Sequence, residues 1–251
     1  MKVICIMTIY NEIDFLPYKL EWCHRNGLDL YVIDNYSTDG SYEWLKDHNI
    51  DCHQIDTKGT FDLPTLQAGI IRTVDHIKPD WVVYNGADLF IFAERPIATL
   101  CMEAERMGKN TIGFPIVGMH DTGEEPTGGI LNTYFWYMGR MARTGSLKMI
   151  EFVYKWKPGI KYSGDTVKMP NKKTYNPSGI MINYGRIKSP ERRKELLERR
   201  KLAWQRGMDR GHGIHYLTEE KRGFKRWDKS ELKDIRESEY WQYLKDYISI
   251  T

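Results

Sequence analysis

The feature that most constrains this chain is a rhythm in its first third: a short apolar run ends in a polar turn, and a stretch of helical spacing follows. Val3 to Met7 is apolar and partly β-branched, the composition of a strand covered on both faces. Residues 13–26 carry Phe15, Leu16, Leu20 and Trp22 at roughly helical intervals, and Asn26-Gly27 supplies a stop. Leu28 to Ile33 then reads as a strand, Asp34-Asn35-Tyr36-Ser37-Thr38-Asp39-Gly40 as a turn and 41–48 as a helix. A strand at Cys52 to Ile55, a helix at Leu63 to Ile77 cut off by Lys78-Pro79, and a strand at Trp81 to Tyr84 complete the series, which runs into Asn85-Gly86-Ala87-Asp88. This alternation predicts parallel βαβ units. Ligands in such sheets bind beyond the carboxyl ends of the strands, so the turns at 34–39 and 85–88 should share one edge.

From residue 111 the rhythm loosens. Thr111 to Val117 reads as a strand and Met119 to Gly129 as a glycine-rich, acidic loop, and aromatic residues crowd 134–137 and 152–162. Ser189-Pro190-Glu191 has the signature of a helix start and opens a charged helix to about Trp204. The last thirty residues look helical and amphipathic. An α/β chain of 251 residues commonly forms one core. We expect an α/β core over 1–188, with a nucleotide-binding half to about 110 and an acceptor half over 111–188, and a helical extension over 189–251 packed on it.

A composition of 41% hydrophobic and 28% charged residues excludes a disordered chain. Seven mostly apolar residues near the N-terminus are too few for a secretory signal, and no run of about 18 apolar residues follows, so the sequence reads as cytoplasmic. Cys5, Cys23, Cys52 and Cys101 lack CxxC spacing and read as structural. The net charge of +3 conceals an asymmetry, because residues 186–229 hold 15 lysines and arginines against 7 acids. That segment suits phosphate, an anionic lipid surface touched peripherally, or simple solvation with pairs such as Glu195–Arg199. The acidic N-terminal edge argues against nucleic acid.

The acidic turns carry the chemistry. A nucleoside diphosphate sugar offers ribose hydroxyls and base N–H groups to carboxylates, and a further carboxylate can hold the divalent ion that neutralises the diphosphate. Asp34 and Asp39 suit the nucleoside and Asp88 the metal, although aspartate and asparagine are also ordinary turn residues.

Thr8-Ile9-Tyr10-Asn11-Glu12, Val32-Ile33-Asp34-Asn35-Tyr36-Ser37-Thr38-Asp39-Gly40-Ser41 and Trp81-Val82-Val83-Tyr84-Asn85-Gly86-Ala87-Asp88 resemble, in order and spacing, the successive signatures of glycosyltransferase family 2. The resemblance implies a GT-A fold, a nucleotide-sugar donor, Mn²⁺ or Mg²⁺ and inversion at the anomeric carbon. By it Thr8, Asn11 and Glu12 line the nucleotide pocket, Asp34 meets the base, Asp39 the ribose or diphosphate, and Asp88 the metal. One departure stands out: Gly86 replaces the first acid of the family's Asp-x-Asp motif. That loss would weaken metal binding, shift ribose recognition to Asn85, or mark a protein that binds without catalysing. Asn183-Tyr184-Gly185-Arg186 and Gly211-His212-Gly213-Ile214-His215-Tyr216 are similar to later segments of some members, where a late histidine, here His215, completes the metal or diphosphate site.

Inversion requires a general base beside the acceptor hydroxyl. The candidates are Asp165, where the adjacent Gly164 allows close approach, and Glu124, with Glu125 and Asp121 beside it in the glycine-rich loop. Tyr134-Phe135-Trp136-Tyr137 suits either a sugar-stacking platform or a buried strand. The expected function is transfer of a sugar to a hydroxyl on a glycan or lipid-linked glycan. The rival is a non-catalytic nucleotide-sugar or glycan-binding protein.

Overall fold

A computed structural model describes residues 1–119, 136–139, 149–163, 166–185, 190–206 and 233–248. The parallel units are present. β1 (Val3–Ile9), β2 (Asp29–Asp34), β3 (Asp51–Gln54) and β4 (Trp81–Tyr84) lie side by side in the order β4-β1-β2-β3, all parallel. Burial is nearly continuous along β1 and complete along β4, as a strand covered on both faces requires.

The intervening helices have identifiable starts and stops. α1 (Leu16–Asn26) buries Leu16, Trp22 and Cys23 and ends at Gly27, whose left-handed backbone (φ 67°) turns the chain into β2. The Trp22 indole donates to Ile91 O at 2.7 Å, so its polar atom is satisfied inside the core. After α2 (Ser41–Asp47) comes α3 (Leu63–Ile77), where Asp62 caps the first turn by accepting from Thr65 N. Lys78, left-handed ahead of Pro79, stops α3. Full burial of Leu66 and Ile70 from its apolar face contributes roughly 2 kcal/mol each.

Beyond β4 the structure contains elements the sequence reading had not assigned. β5 (Leu89–Ala93) follows the Asp88 turn directly, and α4 (Ile97–Arg106) leads into β6 (Thr111–Met119). β7 (Trp136–Gly139) and β8 (Met149–Lys155) continue the sheet, and β9 (Lys161–Ser163) pairs only with β10 (Thr166–Lys168). β11 (Thr174–Tyr175) and β12 (Gly179–Asn183) both run parallel to β6. The main path is β7-β6-β8-β4-β1-β2-β3, with β8 antiparallel to both β4 and β6. β12 also pairs antiparallel with β5, opposing Asn183 to Leu89.

The expected α/β layout of the GT-A type, a mostly parallel sheet flanked by helices, is what the chain adopts, and the antiparallel pairings of β7 and β8 extend it. The C-terminal part holds α5 (Pro190–Gln205) and α6 (Trp241–Ile248). It also adds a short strand, β13 (Lys233–Asp234), antiparallel to β7. Among the described residues no helix is long and apolar enough to cross a membrane. The four cysteines are free, with Cys5, Cys23 and Cys101 buried.

Candidate functional site

Because β4, β1 and β2 are neighbours and parallel, the segments leaving their carboxyl ends emerge together: Asn85–Asp88, Tyr10–Glu12 and Asn35–Asp39. Two strand spacings, about 10 Å, separate β4 and β2 sideways, and β4 ends three residues earlier in the register, with Tyr84 beside Ile6 and Asp34 beside Ile9. The sequence-derived acids Asp34, Asp39 and Asp88 therefore share one edge.

At the β1–β2 corner the polar side chains tie the two loops together. Asn11, left-handed at φ 52°, accepts from Thr38 N at 2.7 Å through Oδ1, and its own N–H donates to Ser37 Oγ at 2.8 Å. Glu12 N donates to Ser41 Oγ. Asp39 accepts from Ile13 N at 3.1 Å and from the Ser41 N–H and hydroxyl at 3.0 and 2.6 Å. Asp34 is fully buried and accepts from Ser37 N at 3.2 Å and Gln54 Nε2 at 2.9 Å. Thr8, half-buried, lies opposite Ile33 in the β1–β2 register. The turn-forming role open to these aspartates is thus real; a carboxylate has about four acceptor sites, so the half-buried Asp39 keeps room for a ligand contact as well.

The Asp88 turn is built differently. Beneath it lies Lys19 of α1, fully buried, its ammonium donating to Asn85 Oδ1 at 3.3 Å and to Leu89 O. It also stands 4.7 Å from the Trp22 ring and 4.5 Å from Phe90. Burial lowers its pKa below the ordinary value, opposed by Cys5, Cys23 and Asp88. Lys19 clasps both ends of the turn. Asn85 is itself buried and faces inward, its amide donating to Leu89 O and its carbonyl accepting from Cys5 Sγ at 3.5 Å.

Asp88 is seated by two glycines. A Cβ added at Gly86 would lie 2.8 Å from Asp88 Oδ1, and one at Gly185 would lie 2.6 Å from Oδ2. The backbone carbonyl of Asp88 accepts from Tyr184 N at 2.8 Å. The β5–β12 pairing thereby brings the Asn183-Tyr184-Gly185 segment of the sequence resemblance against the Asp88 turn.

α5 closes over the β1–β2 corner. Glu195 accepts from the Tyr10 hydroxyl at 2.6 Å and from Asn11 Nδ2 at 3.4 Å, and pairs with Arg192 at 2.5 Å. Burial pushes the Glu195 carboxyl upward, yet the hydrogen bonds from Tyr10 and Arg192 outweigh it and hold the carboxyl below its usual range. Arg192 donates to Tyr10 O and stands 3.9 Å from Glu12. Arg199 lies 3.2 Å over the Tyr10 ring and donates to Gly59 O and Thr60 O; Arg206 donates to Lys58 O. A cleft of about 360 Å³ runs between Gly59 and the Arg199, Leu202 and Gln205 side of the helix. Arg192, Arg199 and Arg206, read from sequence as charge facing phosphate, lipid or solvent, are turned toward the protein's own loops.

Asp165, Glu124 and His215 lie outside the described residues, as do Asp121, Glu125 and His212. Among the described residues no group of three His, Cys, Asp or Glu side chains gathers to hold a metal. Asp88 alone fits a Mg²⁺-type ion held by one carboxylate together with phosphate oxygens and water. Lys19 is not singled out by the sequence, and Tyr10 and Arg199 enter it only within a motif and a run of charge. Lys19 carried a legible signal, lying three residues from both Leu16 and Trp22 on the apolar face of α1.

No family model and no curated protein matches the chain. Among solved structures it is similar to S. aureus TarS, at 12% identity over 86% of this chain and 41% of that one, with a TM-score of 0.46. It is similar to a TarS fragment in complex with UDP-GlcNAc at 15% identity, over 52% of this chain and 38% of that one, TM-score 0.36. A third likeness is to glucosyl-3-phosphoglycerate synthase from Mycobacterium tuberculosis in complex with Mn²⁺ and UDP-glucose, at 15% identity over 49% and 44% of the two chains, TM-score 0.30. The chain spans only 38% and 41% of the two TarS chains. Overlays this loose do not bear on chemistry, which is read from the residues themselves.

Proposed function

We propose that the chain is a GT-A-type glycosyltransferase of the family 2 kind, moving a sugar from a nucleotide donor to a hydroxyl of a glycan or lipid-linked glycan. One observation carries the reading: Asp34 at the end of β2, Asp39 in the loop after it and Asp88 after β4 belong to one sheet edge, on parallel strands that flank β1. Asp34 and the Tyr10 ring serve the base, Asp39 and Asn11 the ribose and diphosphate, with Thr8 and Glu12 lining the pocket. Asn85 supports the Asp88 turn from within, through Lys19 and Leu89.

Asp88 is the residue to hold Mn²⁺ or Mg²⁺ jointly with the donor, an ion that would neutralise charge on the diphosphate. In an inverting transfer the acceptor oxygen bonds to the anomeric carbon, the bond to the diphosphate breaks, and a base takes the hydroxyl proton. Asp165 and Glu124 remain the candidates for that base and His215 a second metal ligand. Peripheral membrane contact through 186–229 and a cytoplasmic site of action belong to the same proposal.

A second reading, nucleotide-sugar or glycan binding without turnover, is favoured by Gly86 and by the single carboxylate at the turn. Thermal unfolding with UDP, GDP, CDP, ADP and dTDP, with and without Mn²⁺, tests the shared premise. A diphosphate at a hundred times its Kd should stabilise the protein by about 2.7 kcal/mol, a shift of several degrees. A midpoint unmoved by every compound rejects the enzyme and the nucleotide-sugar binder alike. Release of free nucleoside diphosphate from the matching nucleotide sugar then separates enzyme from binder.

A further inference from the structure

The corner that the proposed function gives to the donor base is already filled. Arg199 stands in van der Waals contact with the Tyr10 ring, 3.2 Å from its centroid, and Arg192 lies 4.8 Å from the same ring. Asp34 has no exposed surface at all. A base cannot reach that carboxylate or stack against the face of Tyr10 that Arg199 covers.

The occupant resembles what it displaces. A guanidinium is planar, stacks on aromatic faces and presents N–H donors; a nucleobase is likewise planar and stacks, with N–H donors set among acceptors on its edge. Arg199 uses these donors on Gly59 O at 3.3 Å and Thr60 O at 3.0 Å. It is only 8% exposed.

The helix that carries it is held by polar contacts. Among the described side chains of α5, Leu197 is the one buried hydrophobic residue. Among the described side chains, hydrogen bonds and charge supply the other contacts, through Glu195 to Tyr10 and Asn11, Arg192 to Tyr10 O and Arg206 to Lys58 O. An element with few buried apolar contacts opens at low free energy. α1, by contrast, buries Leu16, Trp22 and Cys23.

Resting on the proposed nucleotide site, we propose that α5 is a self-occluding latch: Arg199 occupies the place of the donor's base in the free protein, and donor binding requires α5 to swing away. A site open for only a fraction of the time binds with its affinity reduced by that fraction. The latch therefore sets the donor concentration at which the protein begins to work.

Calorimetry of the full chain and of Arg199→Ala against UDP, GDP, CDP, ADP and dTDP with Mn²⁺ tests this directly. We expect the variant to bind the preferred diphosphate about tenfold tighter, the gain for a latch closed nine-tenths of the time. Hydrogen exchange on the unmodified protein is the independent arm: adding that diphosphate should speed exchange of α5 amides. Weaker or unchanged binding by the variant overturns the latch, and so does slower exchange in α5, which would make Arg199 a donor ligand on a helix that clamps. If no diphosphate binds either protein and exchange is unaltered, the nucleotide-site reading itself falls, and the latch with it. Binding by the unmodified protein with the wrong sign in the variant sinks only the latch.

Discussion

The Asp34 corner and the Asp88 turn lie on the same sheet edge and use the same residue types, yet they are built in opposite senses. At the corner the acids hold the loops. Asp34 and Asp39 accept from Ser37, Gln54, Ile13 and Ser41, so the fold itself depends on the carboxylates. At the turn the loops hold the acid, with Lys19 clasping its two ends and Gly86 and Gly185 leaving space for the carboxylate. Burial of the Lys19 ammonium carries a desolvation penalty that offsets what its contacts contribute, and its charge acts on the neighbouring Asp88. Substitutions should therefore separate the two, the corner responding in stability and the turn in chemistry.

The largest separation is expected from Asp88→Asn. It preserves the shape of the turn while removing the charge that would meet the metal and diphosphate. Sugar transfer should fall by roughly a hundredfold or more, with the unfolding midpoint unchanged. Equal loss of stability would make Asp88 a structural turn residue like those at the corner.

Asp39→Ala should give the converse. It strips partners from Ile13 N and from Ser41, which is fully buried. The expected cost is about 1–3 kcal/mol in a denaturant titration. A midpoint within error of the unmodified protein would erase the distinction between the two regions.

The smallest effect and the sharpest test come from Lys19→Met. The two acceptors it vacates keep other donors, Cys5 Sγ for Asn85 Oδ1 and Asn85 Nδ2 for Leu89 O. A buried ammonium carries a desolvation penalty that an apolar chain of similar volume does not. We expect an unchanged or higher melting temperature together with about a tenfold drop in turnover. A lower melting temperature, with activity following the folded fraction, would show that Lys19 only props up the core.

Much of the parallel half was legible in the sequence. α3 and β4 have the expected boundaries, Leu63–Ile77 and Trp81–Tyr84, because Asp62, Pro64 and Lys78-Pro79 punctuate them chemically. β5 and α4 went unassigned although Leu89–Ala93 is continuously apolar and Pro96 stands at the start of α4. β8 and β12 were hidden for another reason: their partners, β4 and β6 or β5 and β6, lie far away in sequence. The shared edge of Asp34, Asp39 and Asp88 followed from topology alone. The direction of the α5 arginines did not, because a run of charge looks the same whether it faces water or a neighbouring loop. Lys19 was passed over since a lysine on an apolar stripe ordinarily reaches back to solvent.

The pairing of β5 with β12 has a consequence for the order in which the molecule matures. A protein is made from its N-terminus onward and its early segments can fold while later ones are still being added. The hydrogen bonds of Asp34 and Asp39 need only neighbouring stretches of chain, so they can form early. Asp88 must wait for Tyr184, whose N–H its backbone carbonyl accepts, and that long-range closure is entropically slow. A polypeptide halted before β12 would display the acid-bonded corner, not yet covered by α5, and an Asp88 turn still without Tyr184, so the two halves of the site are completed at different moments in the protein's birth.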